Sequence, residues 1–124
     1  MGISVVVVDD SRSARRVLCR ELQELFEGKD VTIDEGVNGL EALERVRSGK
    51  YDLMFLDLTM PEMDGYEVLR AIKAEGLNIK VIVLSADIQP KAQALVKELG
   101  ALEFMCKPLD CEAVVKVLKE NNFI

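Results

Sequence analysis

At 124 residues the chain is the size of one domain, residues 1–124, and can bury roughly two-thirds of its unfolded surface without disulfide or metal staples. Hydrophobic residues at 49% and charged residues at 31% are the balance of a soluble globular protein, and the apolar runs are too short to span a bilayer. A net charge of -6 works against direct nucleic-acid binding, which draws most of its affinity from neutralised phosphates.

There is no histidine, which removes the commonest general base and the commonest metal ligand. Cys19, Cys106 and Cys111 are odd in number and never in C-x-x-C spacing, so they read as reduced thiols rather than a zinc site. Any metal must then be held by oxygen. The start, MGISVVVVDD, lacks the basic region and cleavage site of a signal peptide, so the expected location is cytoplasmic.

In chain order, Ile3 to Val8 is a β-branched run of buried-strand type that stops on Asp9 and Asp10. Ser11 caps a helix whose apolar positions, Val17, Leu18, Leu22, Leu25 and Phe26, form an expected buried face opposite Arg15, Arg16, Arg20 and Glu21. Val31 to Glu35 reads as a short strand, followed by a helix burying Leu40, Leu43 and Val46. Leu53 to Leu56 is uncharged, suits a strand covered on both faces, and ends abruptly on Asp57.

Beyond a turn built on Pro61 and Asp64-Gly65, a third helix carries Tyr66, Leu69, Ile72 and Lys73 and stops at Gly76. Val81 to Leu84 is a fourth strand ending on Ser85. Pro90 opens a fourth helix with Ala94, Leu95 and Leu99 inward. Leu102 to Cys106 is the fifth strand, ending on Lys107-Pro108, and Asp110 caps a last helix through Val114, Val117 and Leu118. Five strands alternating with five helices predict an α/β fold with a doubly wound, five-stranded parallel sheet, flavodoxin-like in topology.

Ligands in such sheets bind beyond the carboxyl ends of the strands, and there the pattern places Asp9, Asp10, Asp57, Ser85 and Lys107 on four separate strand ends. Each taken singly also reads as a cap, a turn residue or a solvated charge. Capping does not explain why they fall together. Three nearby carboxylates repel and call for a cation. Mg²⁺ takes one or two carboxylates and shares a phosphate oxygen, so Asp10 and Asp57 are expected ligands, with Asp9 acting through water. Asp57 is the expected nucleophile, forming an acyl phosphate while Lys107 neutralises charge and the Ser85 hydroxyl donates to a phosphoryl oxygen.

On the motifs VVVDDS (Val6 to Ser11), FLDLTMPEMDG (Phe55 to Gly65), LSA (Leu84 to Ala86) and FMCKP (Phe104 to Pro108), the whole chain resembles the receiver domains of two-component response regulators. The resemblance is strongest to the single-domain chemotaxis regulators of the CheY type. It implies that Asp57 takes a phosphoryl group from a histidine kinase, that the Thr59 backbone carbonyl joins Asp10 and Asp57 around Mg²⁺, and that the Lys107-Pro108 peptide is cis. It implies Ser85 and Phe104 as the switch pair, with Phe104 where Tyr is often found and Ser85 in place of the commoner Thr. Thr59 and Asp87 stand where such domains tune the lifetime of the acyl phosphate.

These features predict a phosphorylation-controlled binding module, not a turnover enzyme, signalling in chemotaxis or, alternatively, as a phosphorelay shuttle. The last helix runs nearly to Ile124, so output is expected through docking to a target protein; the resemblance implies the Gln89 to Asn121 face, with Phe104 central, as the docking surface and allows a dedicated phosphatase as a further partner. A flavodoxin-like FMN protein fits less well, because the loop after the first strand is acidic and aromatics are 5% with no Trp. A haloacid-dehalogenase-type hydrolase needs a second acid two residues after its nucleophile, where this chain has Thr59.

Overall fold

Uncharged β-branched runs become central strands because only a sheet covered on both faces by helices buries them fully. The computed structural model describes residues 2–86 and 89–124. In chain order the elements are β1 (Ile3–Val8), α1 (Arg12–Leu25), β2 (Val31–Gly36), α2 (Gly39–Arg47), β3 (Leu53–Leu56), α3 (Gly65–Glu75), β4 (Lys80–Ser85), α4 (Pro90–Glu98), β5 (Glu103–Cys106) and α5 (Cys111–Glu120). The strands lie in the order β2-β1-β3-β4-β5, and every pairing is parallel. This is the doubly wound (βα)5 sheet that the alternation of elements predicts. Its order switches between β1 and β3, the point at whose carboxyl edge ligands bind in sheets of this kind.

Successive strand residues point to opposite faces, which divides the core in two. On one face Val6, Val8, Met54, Leu56 and Val83 meet Leu43, Leu69 and Val96 from α2, α3 and α4. On the other, Val5, Val7, Phe55 and Ile82 meet Leu22 and Phe26 at α1 and Val114 and Leu118 on α5. Side chains at the helix starts fix where the chain turns: Ser11, Asn38, Asp64 and Asp110 each accept backbone N–H bonds from the first turn of α1, α2, α3 and α5. Each cap satisfies donors that the helix itself leaves orphaned. Gly76 ends α3 in the left-handed region at φ 64°, where a Cβ would be strained.

Three helix faces differ from the periodicity reading. Val17 is 52% exposed and Leu40 55% exposed, whereas Arg15 is buried. The inward stripe of α1 is Arg15, Leu18, Leu22 and Phe26, a run of three- and four-residue steps in which Val17 has no place. At its first turn α1 lies over the polar carboxyl end of β1, so the inward position there is occupied by a guanidinium. The α2 helix buries Gly39, Ala42, Leu43 and Val46, leaving Leu40 on the far side. In α4 the buried residues are Ala92 and Val96; Ala94 is exposed, and Leu95 and Leu99 are half-buried.

Candidate phosphoacceptor and metal site

The site is assembled by strands that extend one residue past their last apolar side chain. Asp9 continues β1 through its N–H to the Gly36 carbonyl at 3.2 Å, and Asp57 continues β3 through its N–H to Val8 at 3.0 Å. Lys107 continues β5 through its N–H to the Ser85 carbonyl at 2.9 Å. The three side chains are thereby held by ladder hydrogen bonds rather than by loops. The Lys107-Pro108 peptide is cis, as the family pattern implied.

Asp9, Asp10 and Asp57 each bring a carboxylate oxygen within 4.8 Å of the others. Asp9 and Asp57 are buried, and Asp10 is exposed at the rim. The Lys107 ammonium lies 2.9 Å from Asp9 Oδ2 and 3.6 Å from Asp57 Oδ1. It therefore bridges the two buried acids and sits nearer Asp9. Asp9 Oδ1 accepts the Ser11 N–H at 2.9 Å, and Asp57 Oδ1 accepts the Leu58 N–H at 2.9 Å. Both Asp9 oxygens are thus engaged by the protein, which suits contact with a cation through water better than direct ligation.

Burial pushes the Asp57 carboxyl above its usual range, and the charges of Asp9 and Asp10 push the same way; Lys107 and the Leu58 N–H pull against them. Partial burial of Lys107 acts to lower its affinity for a proton, but the Asp9 hydrogen bond and the charges of Asp57 and Asp9 outweigh it and hold the ammonium above its usual range. Three carboxylates face one ammonium. The donor set is entirely hard oxygen, it is crowded, and it is underneutralised, which are the conditions that favour a small divalent cation. The clustered triad is consistent with a Mg²⁺-binding phosphoacceptor site.

Gly65 shows how closely the third helix approaches. A Cβ there would come within 2.5 Å of the Asp57 carbonyl and 2.9 Å of Leu58 Cα. Only a glycine lets α3 begin this close to the end of β3, and its N–H bonds the Leu58 carbonyl at 3.0 Å. Thr59 follows on the exposed side of that turn.

Ser85 ends β4, 2% exposed. Phe104 pairs in register with Val83 and is half-buried against the core cluster on the α3 and α4 side. Asp87, the second residue expected to tune lifetime, lies outside the described residues. Arg15 is the group that periodicity misplaced: its Nη1 donates to the Asp9 carbonyl at 2.6 Å and its Nε to Glu35 Oε1 at 2.9 Å. The available signal was its position three residues before Leu18, on the stripe that continues to Leu22 and Phe26. No helix among the described residues is long and apolar enough to cross a membrane.

Comparison with known proteins agrees with this geometry. The transcriptional regulatory protein ZraR of Klebsiella oxytoca is 36% identical over 118 residues, covering 95% of this chain and 26% of that protein. Sporulation initiation phosphotransferase F of Bacillus subtilis is 33% identical over 120 residues, covering 97% of this chain and 94% of that protein. The chain thus spans about a quarter of the first relative's length, by the 26% figure, and nearly all of the second's. A solved chemotaxis protein of Vibrio cholerae superposes with a TM-score of 0.80 at 27% identity, over 97% of this chain and 98% of that one. The response regulator receiver domain family matches residues 5–119, a span that takes in every strand end bearing the acids, the hydroxyl and the lysine, and the chain belongs to that family.

Proposed function

We propose that residues 1–124 form one receiver domain of a phosphorelay, accepting a phosphoryl group on Asp57 from a phosphohistidine of its partner kinase or phosphotransferase. The observation that carries this reading is the buried Asp57, crowded by Asp9 and Asp10 and reached by Lys107 at 3.6 Å. An Asp57 oxygen attacks phosphorus, the phosphorus–nitrogen bond of the donor breaks, and the imidazole leaves with the bonding electron pair. The product is an acyl phosphate. Bound Mg²⁺ would be held by Asp10, Asp57 and the Thr59 carbonyl, with Asp9 acting through water, and would supply positive charge against the phosphoryl oxygens.

Lys107 needs to shift little to leave Asp57 and pair with a phosphoryl oxygen, and the Ser85 hydroxyl donates to another. In this reading Ser85 moves toward the phosphoryl group, and the Phe104 ring, lacking the hydroxyl that would draw it outward, fills the space behind. Thr59 and Asp87 regulate how readily water reaches the acyl phosphate. The α4, β5 and α5 face then docks the output target, with no turnover of a metabolite.

The relay reading has more support than the chemotaxis one. The Bacillus relative that this chain matches over 94% of its length is a sporulation phosphotransferase, and its 33% identity exceeds the 27% shared with the Vibrio chemotaxis protein. Incubation with a small phosphodonor tests the acceptor: the wild type should label in Mg²⁺ and Asp57→Asn should not. Equal labelling of the two refutes the assignment. Return of the label from this protein to a histidine phosphotransfer domain distinguishes a relay from a one-way output.

A further inference from the structure

Arg15 has no part in the chemistry described above, yet it is only 9% exposed, and an arginine is rarely buried without partners for its charge. An aliphatic side chain on the same stripe would pack against β1 without the cost of desolvating a guanidinium. The guanidinium is directed at two groups, the Asp9 carbonyl at 2.6 Å and Glu35 Oε1 at 2.9 Å. Glu35 is in turn tied to α2, because Arg45 Nη2 donates to its backbone carbonyl at 3.1 Å.

The Asp9 carbonyl belongs to the planar peptide unit that ends on the Asp10 Cα, so holding that oxygen fixes the direction from which the Asp10 side chain departs. Something must hold it. The oxygens of Asp9, Asp10 and Asp57 stand within 4.8 Å of one another, and their like charges favour a loop that swings Asp10 away into solvent. Lys107 and the Ser11 N–H anchor the Asp9 side chain; Arg15 anchors its backbone.

We infer that Arg15 is a positioning residue for the divalent-cation site: its hydrogen bond to the Asp9 carbonyl sets the Asp9–Asp10 peptide so that Asp10 faces Asp57 before a cation arrives. The inference rests on reading the acid cluster as a Mg²⁺ site. Groups that orient metal ligands without touching the metal typically govern affinity by roughly 10- to 100-fold. Glu35, which is half exposed in its side chain at 51%, orients the guanidinium and has the smaller effect.

The test uses Mg²⁺ titration calorimetry on the unphosphorylated protein and amide hydrogen exchange on the metal-free protein. Arg15→Met should raise the Mg²⁺ Kd by roughly 10- to 100-fold and speed exchange at Ser11, while amides inside β1 and β3 keep their protection. Arg15→Lys, a point charge that cannot reach both acceptors in the geometry of a guanidinium fork, should fall between the two and carries the test if the methionine variant does not fold. Unchanged Mg²⁺ affinity in a folded Arg15→Met overturns the inference, as does a uniform loss of protection in both variants, which would mark Arg15 as structural only. If the wild type binds no Mg²⁺, the metal reading itself fails; Ser11 exchange in the metal-free protein then decides whether Arg15 holds the loop, and unchanged exchange overturns that too.

Discussion

The two ends of the sheet follow opposite rules. At the amino end, carboxylates are exposed and serve the backbone: Asp52 Oδ2 accepts the Ser4 N–H at 2.9 Å and leaves both residues accessible. At the carboxyl end, Asp9, Arg15, Asp57 and Ser85 are the buried polar residues among those described, and two of them carry negative charges that repel. One end is arranged for stability, while the other holds charge that the folded state would shed. The difference shows where this fold accepts buried, mutually repelling charge, and it marks the candidate site.

The largest effect should come from below the site rather than in it. Phe55 is 1% exposed in the α1 and α5 core, and Phe55→Ala should cost about 3–5 kcal/mol in urea unfolding. A cost below about 1 kcal/mol would mean the core beneath β3 is not packed as described.

Next is Lys107→Met, which removes the ammonium bridging Asp9 and Asp57. Truncating one partner of a largely buried pair leaves the others uncompensated. The metal-free variant should be less stable by on the order of 1–2 kcal/mol, discounted for the partial exposure of the lysine. It should bind Mg²⁺ at least as tightly as the wild type, because a competing cation is gone, yet fail to transmit phosphorylation to a partner, since only a differential interaction shifts a two-state equilibrium. A stable variant with normal switching removes Lys107 from the account.

Asp57→Asn sharpens the contrast through its sign. A carboxyl whose pKa is raised by folding destabilises the folded state while ionised, so at neutral pH the metal-free Asp57→Asn protein should melt higher than the wild type. Each kcal/mol corresponds to roughly 4 °C. As pH falls through the raised folded pKa toward the usual 3.8, the folded wild type takes up a proton before the unfolded chain does, and the gap between the two proteins closes. Asp52→Asn at the amino end should show no such gain. A gap that widens with acid contradicts the electrostatic reading of the site.

The smallest effect concerns the switch. Phe104 packs half-buried on the core, and a ring without a hydroxyl should favour the inward position even before phosphorylation. Phe104→Tyr should weaken partner binding by the unphosphorylated protein up to about tenfold, equivalent to 1.4 kcal/mol, and leave the phosphorylated affinity unchanged. Ring NMR that finds Phe104 outward until a phosphoryl mimic binds defeats the bias.

The strands and their ends were legible because burial on both faces demands an uninterrupted apolar run, and a charge or hydroxyl that ends such a run is conspicuous. Asp9, Asp57, Ser85 and Lys107 all carried that signal. The helix faces were less legible at the sheet edges. Periodicity places Val17 inward and Arg15 in solvent, but the first turn of α1 lies over polar backbone, where Arg15 finds the Asp9 carbonyl and Val17 is left exposed. Leu40 misled for a related reason, since α2 enters with Gly39 packed inward and its apolar face begins at Ala42. The engagement of both Asp9 oxygens, by Ser11 and Lys107, had no signature in the sequence, because it depends on how far each strand end projects.

The carboxyl-edge acid cluster is proposed to make Asp57 a Mg²⁺-dependent phosphoacceptor. Borohydride reduces an acyl phosphate to the alcohol, so treatment after exposure to a small phosphodonor, followed by peptide mass spectrometry, locates the acceptor. Conversion of residue 57 alone to homoserine, dependent on Mg²⁺, is the result predicted. Conversion at another carboxylate, or equal conversion of Asp57 in chelator, would contradict it.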